Sequence, residues 1–551
     1  MAVAPDVLLR GASVVDGTGA PARAADVAID GGRITAVAPP GELRPGARTE
    51  VVELDGLTLA PGFVDIHTHY DAQVLWDPDL TPSSWHGVTS VVMGNCGFAV
   101  APTRPEHREL IIRMFENVEG MSADALEAGI DWCFESFPEY LDALEQRPVR
   151  LNIGAFVGHS TLRLFAMGPE EREATPGEIE TMCALLRDAL RAGAIGLSTS
   201  RAAQHQGAFG RPVPSRFASL EEVHALAAVL GDRGDAVMEI AAGPGLWLEE
   251  YAEIATEFGI PVTWTALLTR SDRPGAALRA VERGAALGGE VYPQMACRPI
   301  VAQITLLDPT LLGEIDEWKE ALARPREERA ALYRDPEWRD RARGPTLAAW
   351  SRRWQRITVD ETETSADAVG MPLDALADQR GTTPFDLMLD LALGDGLATR
   401  FRVVMDNDSE AEIAQLLADK RTLLGLSDAG AHATQLCDAC YSSFLLSHWV
   451  REQQALTMED AVWRLSGHPC QALGIPDRGL VRVGHKADLV AFEPDTVGIG
   501  PVTRVHDQPG GTDRVVVDSV GIEHVWVNGT AIRRDGHDLP DARPGQLLRP
   551  G

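Results

Sequence analysis

A repeated alternation limits the fold of this chain more than anything else in it. Short apolar segments recur through its middle, at residues 63–66, 89–93, 151–157, 194–198, 236–240, 261–265, 290–293 and 422–426. Helical stretches lie between most of them, as at 176–192, 219–231 and 276–287. A strand that is apolar along its whole length is buried on both faces, the habit of parallel sheets covered by helices. Alternation at this count predicts an α/β fold, a (β/α)8 TIM-like barrel over about residues 60–477. A ninth apolar segment, 401–405, rivals 290–293 for the seventh barrel position.

The two ends read differently. Short strands at 7–9, 25–29, 33–37, 50–53 and 58–60 are divided by turn signals such as Asp30-Gly31-Gly32. The pattern returns at 487–492, 514–517 and 524–527, with turns at Asn528-Gly529 and Asp535-Gly536. Neither end can build a good sheet core alone. Residues 1–59 and 478–551 are therefore expected to form one small β-sandwich together. Inside the barrel span, about 307–400 is too long for a plain connection. It is charged, helical in pattern and holds Trp318, Trp338, Trp350 and Trp354. It is expected to be a helical insertion at one rim, as a lid or as packing.

The first barrel segment runs into His67-Thr68-His69-Tyr70-Asp71. Residues i and i+2 of an extended strand point to the same side. His67 and His69 can therefore aim two imidazoles at one point of the C-terminal mouth, where such barrels carry their chemistry. A divalent cation suits that point. Asp428, in Ser427-Asp428-Ala429-Gly430, follows the last apolar strand to the same mouth. Its structural alternative is a cap or turn former.

Charge and cysteine usage narrow the classes. Among 551 residues, 81 acidic against 50 basic side chains give a formal charge of −31, which disfavours nucleic acid and anionic membrane as partners. The seven cysteines are odd in number and scattered, which fits reduced thiols better than a disulfide framework. Cys437-Asp438-Ala439-Cys440 is a lone CxxC pair. The first twenty residues lack a basic start followed by an apolar core, and no apolar run is long enough to span a bilayer. A cytoplasmic location is the expectation.

Three motifs together resemble the amidohydrolase superfamily: the HTHYD run, the segment Gly87-Val88-Thr89-Ser90-Val91-Val92-Met93-Gly94-Asn95-Cys96-Gly97, and Ser427-Asp428. They are most similar to its N-acyl-D-amino-acid deacylase (D-aminoacylase) branch. Val157-Gly158-His159-Ser160, Tyr292-Pro293 and Gly484-His485-Lys486-Ala487-Asp488-Leu489-Val490 are similar to that branch as well. The resemblance implies that the histidine pair binds metal. It implies that the cysteine after the Gly-Asn pair is a further ligand, and that the aspartate of the last strand is the general base. By motif these are His67, His69, Cys96 and Asp428. The chain departs from the branch at the fifth strand, where Glu239 stands in place of a histidine. At the sixth, 261–268, neither a ligand histidine nor a lysine occurs.

A zinc ion needs about three protein ligands and an open position. His67, His69, Cys96 and Asp428 meet that need, with Glu239 as a hard ligand where the histidine was. One ion is expected, zinc before manganese, iron or cobalt. Asp428 would take the proton of water and pass it to the leaving nitrogen. His159 would bind the oxyanion or a substrate carbonyl, or be structural. Arg298 is the candidate clamp for a substrate carboxylate, with Arg201 and Arg270 as rivals and Tyr292 as a further substrate contact. His205 and His432 lie on loops at the mouth. Cys96 as an inert thiol and Glu239 as a salt-bridged structural residue are the alternatives. The expected function is metal-dependent hydrolysis of carbon–nitrogen (amide) bonds other than peptide bonds, on a small-molecule amide. D configuration follows from the resemblance alone. The alternatives are the same scaffold recruited for cyclic amide ring opening, decarboxylation or condensation, and a metal-free binding protein. A homodimer is compatible with such a barrel.

Overall fold

The computed structural model describes residues 4–313 and 315–549. The outermost residues of the expected end domains, 1–3 and 550–551, lie outside that range. The chain opens with β1 (Val7–Val14), β2 (Arg23–Asp30), β3 (Arg33–Ala38), β4 (Glu50–Glu53) and β5 (Thr58–Pro61). Next come β6 (Phe63–Asp65), β7 (Val88–Met93), β8 (Asn152–Gly158), β9 (Gly196–Ser200), β10 (Val237–Ala241), β11 (Val262–Leu267) and β12 (Val291–Met295). After them come β13 (Ile300–Thr305), β14 (Ile357–Glu361), β15 (Arg400–Asp406) and β16 (Leu423–Leu424). The chain closes with β17 (Leu489–Phe492), β18 (Gly498–Val505), β19 (Arg514–Val520), β20 (Ile522–Val527), β21 (Thr530–Arg534) and β22 (His537–Asp538).

Eight strands form the curled parallel sheet of the barrel, ordered β16-β12-β11-β10-β9-β8-β7-β6. β7 to β10 are buried at every residue, which is why they read as unbroken apolar runs. Helices Leu220–Arg233, Leu248–Phe258 and Ala276–Leu287 follow β9, β10 and β11. The outer strands meet beyond their ends. Thr68 and Ala429 form a parallel bridge, and the His69 N–H donates to the Ala429 carbonyl at 2.7 Å. Gly425 permits the approach, since a Cβ there would lie 2.8 Å from Ile66 Cγ1. The sheet thus closes where the sequence places its two histidines and its aspartate.

The rivalry for the seventh position is settled by pairing. β12 lies between β11 and β16. Segment 401–405 belongs to β15, which is antiparallel between β13 and β14. Those three strands sit in a second compact unit, Pro299–Ser409, with helices such as Asp316–Ala323, Pro336–Ala349 and Pro384–Gly394. Its core is aromatic. Trp318, Tyr333, Trp338, Trp350, Trp354 and Phe385 are buried together, with Trp318 and Trp338 edge to face at 5.3 Å between centroids.

The chain ends share a nine-stranded sheet, β22-β21-β20-β17-β5-β1-β2-β3 with β4 on β1, and β18 and β19 form a separate hairpin. β5 pairs antiparallel with β17, Pro61 opposite Leu489, so the sandwich is sewn from both ends as expected. Val7, Leu9, Val27, Ile34, Leu59, Leu489 and Trp526 fill its core. β5 passes to β6 through Gly62, where a Cβ would lie 2.2 Å from the Thr89 side chain. Among the described residues no helix is long and apolar enough to cross a membrane.

Candidate metal and catalytic centre

His67 and His69 follow β6 directly, and both are about 1% exposed. His67 is oriented by a relay: Thr263 Oγ1 accepts from Gln294 Nε2 at 3.0 Å, and Gln294 Oε1 accepts from His67 Nδ1 at 2.7 Å. Gln294 therefore fixes the proton on Nδ1 and leaves the Nε2 lone pair free to face the cluster. Nε2 lies 3.5 Å from Cys96 Sγ and 3.3 Å from Asp428 Oδ1. His69 Nε2 lies 3.9 Å from the same Asp428 oxygen and 3.4 Å from Glu119 Oε2. The donor atoms of His67, His69 and Cys96 all fall within 4.8 Å of one another.

Asp428 is delivered by a tight turn after β16. Leu426, Asp428 and His432 take left-handed φ values of +59°, +47° and +51°, tolerable for aspartate but costly for leucine. Ser427 supports the turn, donating to Asp65 Oδ2 at 2.6 Å and accepting from the Ala429 N–H at 3.1 Å. The Asp428 side chain is 35% exposed, the most open of the group, so it lies toward solvent. Cys96 is delivered by the turn after β7, itself at φ +58° between Gly94 and Gly97. A Cβ on Gly94 would lie 2.4 Å from the Phe156 carbonyl oxygen, so the turn fits only with glycine there.

Glu239 comes from β10. Its Oε2 accepts the Cys96 N–H at 2.8 Å, and its buried Oε1 has no protein partner. Among the described residues it makes no ion pair, so the salt-bridged alternative does not describe it. Glu119, the last residue of helix Arg108–Glu119, was not singled out from sequence, nor was Gln294. A signal for Glu119 exists: it stands four and eight residues after Phe115 and Ile111, on the buried stripe of its helix.

The electrostatics favour a cation. Burial pushes both imidazoles below their ordinary range, His69 further because His67, His432 and His205 add like charge. Burial pushes Glu239 up to about 8, and pushes Glu119 and Cys96 well above their ordinary ranges, with neighbouring carboxylates adding to each. Neither lysine nor arginine pairs with Glu119, Glu239 or Asp428 among the described residues. Two neutral imidazoles, a thiol and three carboxyl groups facing one space form a donor set that fits a divalent ion.

Four of the expected site residues are engaged by partners within the protein. His159 is fully buried, with Nδ1 on Thr199 Oγ1 and Nε2 on Glu222 Oε1, both at 2.8 Å. Both ring nitrogens are committed, which favours the structural alternative over the oxyanion role expected for it. Arg298 pairs with Asp438 at 2.9 Å, contacts Cys440 Sγ and stacks on Phe444. Arg201 is tied to the carbonyls of Arg216 and Ala218. Both guanidinium groups expected to clamp substrate thus hold loops together. Arg270 pairs with Asp272. Tyr292 lies on β12 two residues before Gln294, deeper in the barrel, packed with the Val64 and Ile66 cluster and edge-on to His468. His205 stays close to the cluster, bonded to Ser200 Oγ at 2.6 Å and pushed down to about 4 by burial and by His432 and His67.

Comparison with known proteins places the chain in a family. The family model described as the amidohydrolase family matches residues 50–532. A D-aminoacylase of Alcaligenes xylosoxydans xylosoxydans is 30% identical, over 96% of this chain and 94% of its own. The N-acyl-D-aspartate deacylase of the same organism is 30% identical over 99% of this chain and 95% of its own. The crystal structure of N-acyl-D-glutamate deacylase from Bordetella bronchiseptica holds zinc and a phosphonate inhibitor that mimics the tetrahedral intermediate. It matches with a TM-score of 0.67 at 26% identity, covering 99% of this chain and 100% of that one. The chain belongs to the amidohydrolase family and is a hydrolase of carbon–nitrogen bonds.

Proposed function

We propose that this chain is a metal-dependent deacylase of N-acyl-D-amino acids or closely related small amides. One divalent ion, zinc first, would be held by His67 and His69, with Cys96, Asp428 and Glu239 as the candidates to complete about three protein ligands and leave a position open. The observation that carries the reading is the convergence of both Nε2 atoms, Cys96 Sγ and Asp428 Oδ1, with no lysine or arginine paired to them among the described residues. The D-aminoacylase and deacylase relatives support the substrate class. The seven unpaired thiols support the cytoplasm as its compartment.

The bound ion supplies Lewis acidity, lowering the pKa of water and polarising a carbonyl. Asp428 does the proton work. It is the most exposed carboxylate of the cluster, has no arginine or lysine partner among the described residues, and is placed by Ser427 beside both imidazoles. It takes a proton from the attacking water and returns it to the departing nitrogen, without which the amine is a poor leaving group. Gln294 and Thr263 hold the His67 ring in one tautomer throughout. Buried Glu239 keeps the Cys96 turn in place through its backbone N–H.

The test is metal analysis of the purified protein, with turnover of N-acetyl-D- and N-acetyl-L-amino acids before and after a chelator. One equivalent of metal, loss of turnover on chelation and recovery with zinc are expected, with the D series preferred. Protein that stays metal-free in added zinc and hydrolyses neither series would overturn the reading.

A further inference from the structure

The Glu119 side chain is 5% exposed at the end of helix Arg108–Glu119. A carboxylate there is doubly unfavourable. Burial strips its hydration, and the helix C-terminus already carries partial negative charge. Among the described residues its one ion-pair partner is His69, with Nε2 3.4 Å from Oε2. The fold nevertheless fixes the residue firmly. The Glu119 carbonyl accepts the His432 N–H at 2.5 Å. The helix stops at Gly120, φ +59°, where a Cβ would lie 2.8 Å from His432 Nδ1. The end of this helix is thus pinned to the loop that carries Asp428, and its carboxylate is held against the imidazole nitrogen that faces the cluster.

We propose that Glu119 is a ligand of the same divalent ion, a carboxylate donor brought in by a helix rather than by a barrel strand. The inference rests on the reading that His67 and His69 hold an ion. It accounts for an acidic side chain on the apolar stripe of its helix, which a bound cation would compensate.

The experiment uses the full-length protein, with zinc affinity measured by competition against a chromogenic chelator and the visible spectrum of the cobalt(II) form. Glu119→Gln and Glu119→Ala are compared with wild type and with Glu116→Gln, a half-buried position one turn earlier that pairs with Arg113. Both Glu119 variants should bind zinc about tenfold or more weakly, with an altered cobalt spectrum, while Glu116→Gln matches wild type. Metal-free Glu119→Gln should unfold at the same or higher urea concentration than metal-free wild type, because a near-isosteric neutral side chain fills the same buried position. Its gain in stability on adding zinc should be smaller. If Glu119→Ala does not fold, the near-isosteric Glu119→Gln carries the test. Affinity within about twofold of wild type and an unchanged cobalt spectrum would overturn the role of Glu119 and leave the metal reading standing. Wild type that binds no zinc would overturn both.

Discussion

Replacing Glu222 with glutamine separates a structural His159 from a catalytic one. Glu222 stands on helix Leu220–Arg233 and meets two side chains of helix His159–Met167. His159 Nε2 lies 2.8 Å from Oε1, Arg163 Nη1 bonds both oxygens, and all three residues are 1% exposed or less. Burial alone would raise the Glu222 carboxyl, but the hydrogen bonds and charges of His159 and Arg163 outweigh it and hold the group at about 2, against an ordinary 4.5. A carboxyl lowered by folding contributes stability that is fully present above about pH 4.5 and is lost as pH falls toward 2. The displacement from 4.5 to about 2 corresponds to about 3 kcal/mol. Removing one partner of a buried pair costs about 3–5 kcal/mol, because Arg163 is left charged and unpaired. The two routes agree. Glu222→Gln should lose about 3 kcal/mol at pH 7 in urea denaturation followed by tryptophan fluorescence. The gap to wild type should narrow as pH falls from 4.5 toward 2, and kcat per folded molecule should stay within a few-fold of wild type. A gap under about 1 kcal/mol at pH 7, or one that does not narrow with acid, would refute the ion-pair account. A His159→Gln variant with intact stability and kcat reduced by about a hundredfold or more would restore the oxyanion role.

Other perturbations probe the centre. Asp428→Asn should lower kcat by about 10²–10⁴-fold with the circular dichroism spectrum retained; a fully active variant would remove Asp428 from proton transfer. Gln294→Leu breaks the relay to His67 and should weaken metal binding by about 10–100-fold in a chelator competition, whereas Tyr292→Phe should leave it unchanged. Arg298→Lys should destabilise the 437–444 segment, read as faster amide hydrogen exchange there, with KM for the substrate little altered. A large rise in KM without faster exchange would return Arg298 to the substrate.

The barrel was legible because strands buried on both faces write themselves as apolar runs, and β7 to β10 are buried throughout. The seventh strand was not, because 290–293 and 401–405 are both short and each carries one charged residue, Glu290 and Arg402. Only their hydrogen-bonding partners distinguish them, and pairing across about a hundred residues or more, β12 with β16 and β13 with β15, leaves no local mark. The histidine pair was legible for a similar geometric reason, since the two-residue period of a strand fixes which side chains share a side. His159 shows where that logic stops. It lies at the end of β8 but is the first residue of a helix, and the ring turns to Thr199 and Glu222 instead of the mouth. The partners of the arginines were not legible either: nothing near Arg298 in sequence announces Asp438.

Glu119 marks the opposite kind of miss. Residues 108–119 carry Glu109, Glu116 and Glu119, and by composition the three look alike. Helical spacing separates them. Ile111, Phe115 and Glu119 fall on one face, with Ile112 and Met114 beside it, and all five are buried. Glu116 falls outside that stripe and pairs with Arg113 at the surface. A carboxylate on an apolar stripe breaks the pattern that folds the helix, and such a break persists only when something beyond the helix compensates it. At this position the groups within reach are an imidazole and more carboxylates. The ion proposed for this site would supply that compensation to the carboxylate, as it would to the donors His67, His69, Cys96 and Asp428 delivered from the strands.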